Sequence, residues 1–132
     1  MNPIAVNWSS KIWITIVDKI HIEGLLIFAI IGVYDWERES PQKIVVDLTM
    51  HLPLAQASQS DDLNYTIDYA AVCASLDALA QSSQPQLLER LAGLMCDHLL
   101  QQYPISKVEL KISKPDILPK TSNVAVEFVR SR

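Results

Sequence analysis

The run Lys43-Ile44-Val45-Val46-Asp47-Leu48-Thr49-Met50-His51-Leu52 alternates along its length: Ile44, Val46, Leu48, Met50 and Leu52 fall on one side, and Lys43, Asp47, Thr49 and His51 on the other. Successive side chains of an extended chain point to opposite faces, so this pattern predicts a strand with one buried face. Upstream, Lys19 to Tyr34 is rich in isoleucine, leucine and phenylalanine and predicts a long strand, bent or bulged near Glu23-Gly24. Between the two, Tyr34 to Gln42 is charged and contains Pro41, which predicts a hairpin loop with exposed side chains.

Working downstream, a polar connection from Ser58 to Asn64 leads to a helical pattern over Tyr69 to Gln81, with Val72, Cys73, Leu76, Leu79 and Ala80 on one face and Asp68 placed as N-cap. A second helix is expected next. Ser83 and Gln86 fit a capping box, Pro85 is tolerated in a first turn, and Leu87, Leu88, Leu91, Leu94, Met95 and Leu99 form a stripe. Lys107 to Ser113 alternates again, with Val108, Leu110 and Ile112 opposite Lys107, Glu109 and Lys111; Val124 to Val129 repeats the pattern after a proline-containing loop. The order strand-strand-helix-helix-strand-strand predicts an α+β domain, a four-stranded antiparallel sheet with both helices on one face.

The 132-residue chain suits one domain, and its net charge of -4, with 20% charged residues and no long basic run, argues against nucleic acid as a partner. A small uncharged ligand suits it better. Cys73 and Cys96 lack the spacing of a zinc site or the density of a disulfide scaffold, which implies reduced thiols and a cytoplasmic location. His21, His51 and His98 are dispersed, so no metal site is expected. The stretch Met1 to Val17 carries Trp8, Ile12, Trp13, Ile14 and Ile16 but reads as neither a membrane span nor a signal peptide.

Four polar positions interrupt this scaffold: Glu37 in Gly32-Val33-Tyr34-Asp35-Trp36-Glu37-Arg38-Glu39, Tyr69 in Ile67-Asp68-Tyr69-Ala70, Glu89 in Leu87-Leu88-Glu89-Arg90, and Lys114 in Lys111-Ile112-Ser113-Lys114-Pro115. Two carboxylates, a phenol and an ammonium can anchor a polar heterocycle and move protons. Taken singly, each has an ordinary reading: Glu37 is a charge in a solvated loop, Tyr69 packs a helix start, Glu89 is a first-turn carboxylate and Lys114 is a loop lysine.

In this order and at these separations, over about Val17 to Arg130, the four motifs resemble those of dihydroneopterin aldolases. The resemblance implies the tunnelling fold, in which sheets from several subunits join into a barrel, here a homo-oligomer of four or eight chains. It implies a pterin substrate, no cofactor and a lyase that splits 7,8-dihydroneopterin into 6-hydroxymethyl-7,8-dihydropterin and glycolaldehyde, with epimerisation as a companion reaction. By resemblance Lys114, Tyr69 and Glu37 are catalytic, and Glu89, Glu37, Tyr69 and Leu88 bind substrate. Residues 1–16 are then expected to be an extension outside a domain of residues 17–132, either because Val17 is the initiator or as an added strand or cover for a subunit edge.

The chain departs from its look-alikes at Asp116 and Ile117, where glycine and alanine are common, and at Gln86, where an aromatic is common. Rival readings are a dihydroneopterin triphosphate 2'-epimerase, which needs basic residues that the acidic Tyr34 to Glu39 loop does not offer, and a non-catalytic pterin-binding oligomer, which would have little use for Lys114 and Tyr69. Zinc-dependent enzymes of the same fold require Cys or His ligand sets that this sequence does not display.

Overall fold

A computed structural model describes residues 18–132, and the expected N-terminal extension lies outside the described residues. Four strands, β1 (Lys19–Ala29), β2 (Gln42–His51), β3 (Lys107–Lys114) and β4 (Val124–Ser131), form one antiparallel sheet in the order β1-β2-β3-β4. Three helices lie between β2 and β3: the short α1 (Ala55–Ser60), then α2 (Tyr69–Ser83) and α3 (Leu88–Gln102). The α+β expectation holds, with α2 against β1 and α3 against β3 and β4.

The alternation in β2 has the expected consequence. Ile44, Val46, Leu48 and Met50 are buried beneath the helices, paired in register with strand neighbours whose side chains share that face, such as Ile112, Leu110 and Val108. Val72, Leu76 and Ala80 of α2 and Leu88, Leu91, Ala92, Met95, Cys96 and Leu99 of α3 complete the core. Each large aliphatic side chain so buried contributes roughly 1.5–3 kcal/mol.

The expected bulge is present between Ile22 and Leu25, where Gly24 adopts φ +71 and its N–H donates to Asp47 Oδ1 at 2.7 Å. β1 advances three residues while β2 advances two, so the inward parity switches from Ile20 and Ile22 to Leu25, Ile27 and Ala29. Apolar residues of both parities are thereby used on one face. Leu26 and Phe28 are left exposed on the opposite face.

Three expectations need correction. β1 stops at Ala29 rather than running to Tyr34, because Gly32, at φ +136, turns the chain into a 3-10 turn over Asp35–Arg38. The polar connection after β2 contains α1 and a 3-10 turn at Leu63–Tyr65. Finally, α3 does not begin with a capping box: Ser83 ends α2, Gln84 closes it in the left-handed region, and Leu87 stands at the N-cap of α3 with no side-chain cap bond. The Ser83-Gln86 pattern marks no helix start, and α2 runs as far as Ser83 because Ala80 still packs into the core. Asp68, in contrast, caps α2 as expected, its Oδ1 accepting from the N–H groups of Ala70 and Ala71 at 3.0 and 3.2 Å.

Candidate active site

Lys114 is the last residue of β3 and continues the inward parity of Val108, Leu110 and Ile112. Its side chain therefore enters the core side of the sheet at the open end of β3, where it is 8% exposed. There Nζ donates to Glu37 Oε2 at 2.8 Å and to the Ile31 carbonyl at 3.3 Å. An ammonium has three donors, so one remains for a ligand.

Glu37 is buried, not solvated as a charged loop would suggest. The 3-10 turn folds it inward so that Oε1 accepts from the Tyr34 N–H at 3.3 Å, and Gln42 Nε2 donates to Oε2 at 3.2 Å while also holding the Ile31 carbonyl at 2.7 Å. Burial pushes the Glu37 carboxyl up, but the bonds from Lys114, Gln42 and Tyr34 and the charge of Lys114 outweigh it and hold the pKa below its ordinary 4.5. Gly32 makes room for this arrangement, since a Cβ built there would overlap the Glu37 carboxyl group.

A cleft of about 220 Å³ opens beside the pair, lined by Trp36, Gln42, Lys43, Lys114, Asp116 and Ile117. Asp116 Oδ2 meets Lys43 Nζ at 2.9 Å across its mouth. A buried ion pair at the edge of a cleft, with a spare ammonium donor, is a device for orienting hydroxyls or water and moving protons between them.

A family model for dihydroneopterin aldolase matches residues 20–129. The chain belongs to the dihydroneopterin aldolase family. It is 39% identical over 113 residues to the dihydroneopterin aldolase of Haemophilus influenzae, covering 86% of this chain and 96% of that one. It is 32% identical over 118 residues to that of Bacillus subtilis, covering 87% of this chain and 98% of that one. A crystal structure of Escherichia coli dihydroneopterin aldolase in complex with neopterin superposes with a TM-score of 0.84 at 32% identity, covering 87% of this chain and all of that one.

Within this aldolase family member a single chain unites only half of the sequence-derived set. Glu37 and Lys114 touch. Tyr69, the first residue of α2, is 65% exposed, and Glu89 in the first turn of α3 is also exposed, beside the buried Leu88. Among the described residues no side-chain hydrogen bond ties Tyr69 or Glu89 to the Glu37–Lys114 pair. Sequence reasoning passed over Gln42, Gly32 and Arg38. Gln42 was legible in principle, because it shares the inward parity of Ile44 and Val46 as Lys114 shares that of Ile112. Gly32 and Arg38 carried no such signal, since their roles depend on contacts made after the chain turns. Among the described residues no group of three or more His, Cys, Asp or Glu side chains is arranged to hold a metal ion.

Proposed function

We propose that the protein cleaves the side chain of 7,8-dihydroneopterin by a retro-aldol reaction to give 6-hydroxymethyl-7,8-dihydropterin and glycolaldehyde, using Glu37 and Lys114 for proton management. The observation that carries the reading is the buried Glu37–Lys114 pair at 2.8 Å, with Lys114 on the wall of a cleft, in a chain of the dihydroneopterin aldolase family. The reaction requires removal of a hydroxyl proton, breakage of the adjacent carbon-carbon bond and an acceptor for its electrons. The ring carbon-nitrogen double bond next to the side chain supplies that acceptor, and the carbon left behind then takes up a proton.

The contacts favour a division of labour. Lys114, already donating to Glu37 and Ile31, presents its third donor to the reacting hydroxyl or to a water, and the Glu37 carboxylate beside it stays ionised to receive or relay the proton. The Glu89 carboxylate suits the paired donors of a pterin amino group and ring nitrogen, bonds of roughly 1.5–3 kcal/mol each, with Leu88 against the ring face. The Tyr69 phenol suits delivery of the final proton to carbon. Re-forming the same bond from the other face of the aldehyde uses the same groups, so epimerisation accompanies cleavage.

The exposure of Tyr69 and Glu89 in one chain supports a site completed between subunits, in a homo-oligomer whose sheets join at the free edges of β1 and β4. The family match, over residues 20–129, falls inside residues 17–132, which supports placing the aldolase domain there. The free Cys73 and Cys96 suit a reducing cytoplasm. Incubation with dihydroneopterin and a strong chelator tests the chemistry: we expect both products at an undiminished rate, whereas strict metal dependence or absence of cleavage overturns the assignment.

A further inference from the structure

Arg38 follows Glu37 directly and reaches in a different direction. Its Nη1 donates to the carbonyls of Gly32 at 3.2 Å and Pro85 at 3.0 Å, and its Nη2 donates to the carbonyl of Gln84 at 2.7 Å. Three main-chain acceptors, one 6 residues before Arg38 and two 46 and 47 residues after it, thus converge on one guanidinium. The first belongs to the turn that carries Glu37, and the other two to the linker of residues 84–87 that delivers Leu88 and Glu89.

Apart from the buried Pro85, that linker has few other means of holding its shape. Gln84 sits in the left-handed region at φ 43, Pro85 has no N–H to donate, and Leu87 gives α3 no side-chain cap. The guanidinium satisfies two consecutive linker carbonyls at once, which a fork of fixed geometry does well and a single ammonium does not.

We propose that Arg38 is a positioning residue that clamps the Glu37 turn to the linker before α3, and so sets where a ring held at Leu88 and Glu89 stands relative to Lys114. The proposal rests on the aldolase reading for its effect on turnover, while the clamp itself is a property of the folded chain. Breaking it leaves the ring-binding end of α3 and the proton-transfer pair individually intact but misaligned. Arg38 touches no reacting atom, so its loss acts on the rate of the bound substrate rather than on ring affinity.

The test uses Arg38→Ala and Arg38→Lys in the full-length protein. In Arg38→Ala we expect kcat to fall by about tenfold to a hundredfold, the range typical of small misplacements of reacting groups. Affinity for 6-hydroxymethyl-7,8-dihydropterin, read by fluorescence titration, should stay within about twofold of wild type. Added guanidinium ion should restore part of kcat to Arg38→Ala, and Arg38→Lys should fall between wild type and alanine. Turnover of both variants near the wild-type value, or parallel loss of turnover and product affinity without guanidinium rescue, overturns the proposal. Amide exchange at Gln86 and Leu87 reads the clamp without activity and should quicken in both variants, while exchange in β2 and β3 is unchanged. Unchanged exchange at the linker overturns the clamp even where the wild type cleaves dihydroneopterin, and a wild type that cleaves nothing overturns the aldolase reading alone. If Arg38→Ala does not fold, Arg38→Lys is judged by the same measurements.

Discussion

At Glu37 burial and hydrogen bonding pull in opposite directions. Desolvation disfavours the carboxylate, yet hydrogen bonds from Lys114, Gln42 and the Tyr34 N–H, with the charge of Lys114, keep it ionised, and its pKa lies below that of the unfolded chain. A depressed folded pKa means that the unfolded chain binds the proton more tightly, so this group's stabilisation is complete above about pH 4.5 and is lost as the pH falls through the lower folded value. In thermal melts across pH 3 to 7, Glu37→Gln should flatten the acid side of the wild-type profile; an unchanged acid limb would mean that other carboxylates set it. Removing the cation is the harsher change. Lys114→Ala leaves a buried carboxylate without its partner and should cost about 3–5 kcal/mol in urea denaturation, whereas combining it with Glu37→Gln should recover a large part of that loss. Additive losses in the double variant would show that the two side chains do not act as a pair.

At the scale of elements, α3 starts without a side-chain cap. Leu87 at its N-cap supplies no acceptor for the free N–H groups of the first turn, although Glu89 is placed where a negative charge favours the helix dipole. Leu87 is 49% exposed, so little burial is lost on replacing it. Leu87→Ser should therefore stabilise the protein by about 1 kcal/mol in urea melts, the usual worth of an N-cap hydroxyl; no gain would show that the first turn is already satisfied. The contrast with α2 shows what local sequence can and cannot report. Asp68 was legible because its N-cap role needs only the residues that follow it. The boundary between α2 and α3 was not, because Ala80 packing and the Arg38 bonds to Gln84 and Pro85 come from elsewhere in the chain.

For the whole molecule, the consequence of finding Glu37 and Lys114 inside the chain and Tyr69 and Glu89 on its surface is that activity should depend on assembly. If Tyr69 comes from one chain and Glu89 and Lys114 from its neighbour, then Tyr69→Phe and Lys114→Ala fail in different halves of a shared site. Mixing the two inactive variants under conditions of subunit exchange should restore part of the activity, because some interfaces regain a complete set. Mass spectrometry can establish the exchange, and no recovery in exchanged samples would argue for a site confined to one chain.

Alternation in Lys43 to Leu52, Lys107 to Ser113 and Val124 to Val129, the apolar richness of Lys19 to Tyr34 and the helical stripes were enough to determine the four strands, the two main helices, their order and the buried face, because each is a signal that the chain carries locally. The family was legible too, since Glu37, Tyr69, Glu89 and Lys114 stand in recognisable motifs. Only the tertiary structure decided that Glu37 is inside. A charged segment between strands reads as solvated, and nothing local announces that Gly32 clears a space for the carboxyl, that Gln42 and Lys114 converge on it, or that Arg38 ties its turn to a linker 47 residues away. Those are encounters between distant segments, whose geometry comes into being only when the sheet has formed and the helices have closed over it.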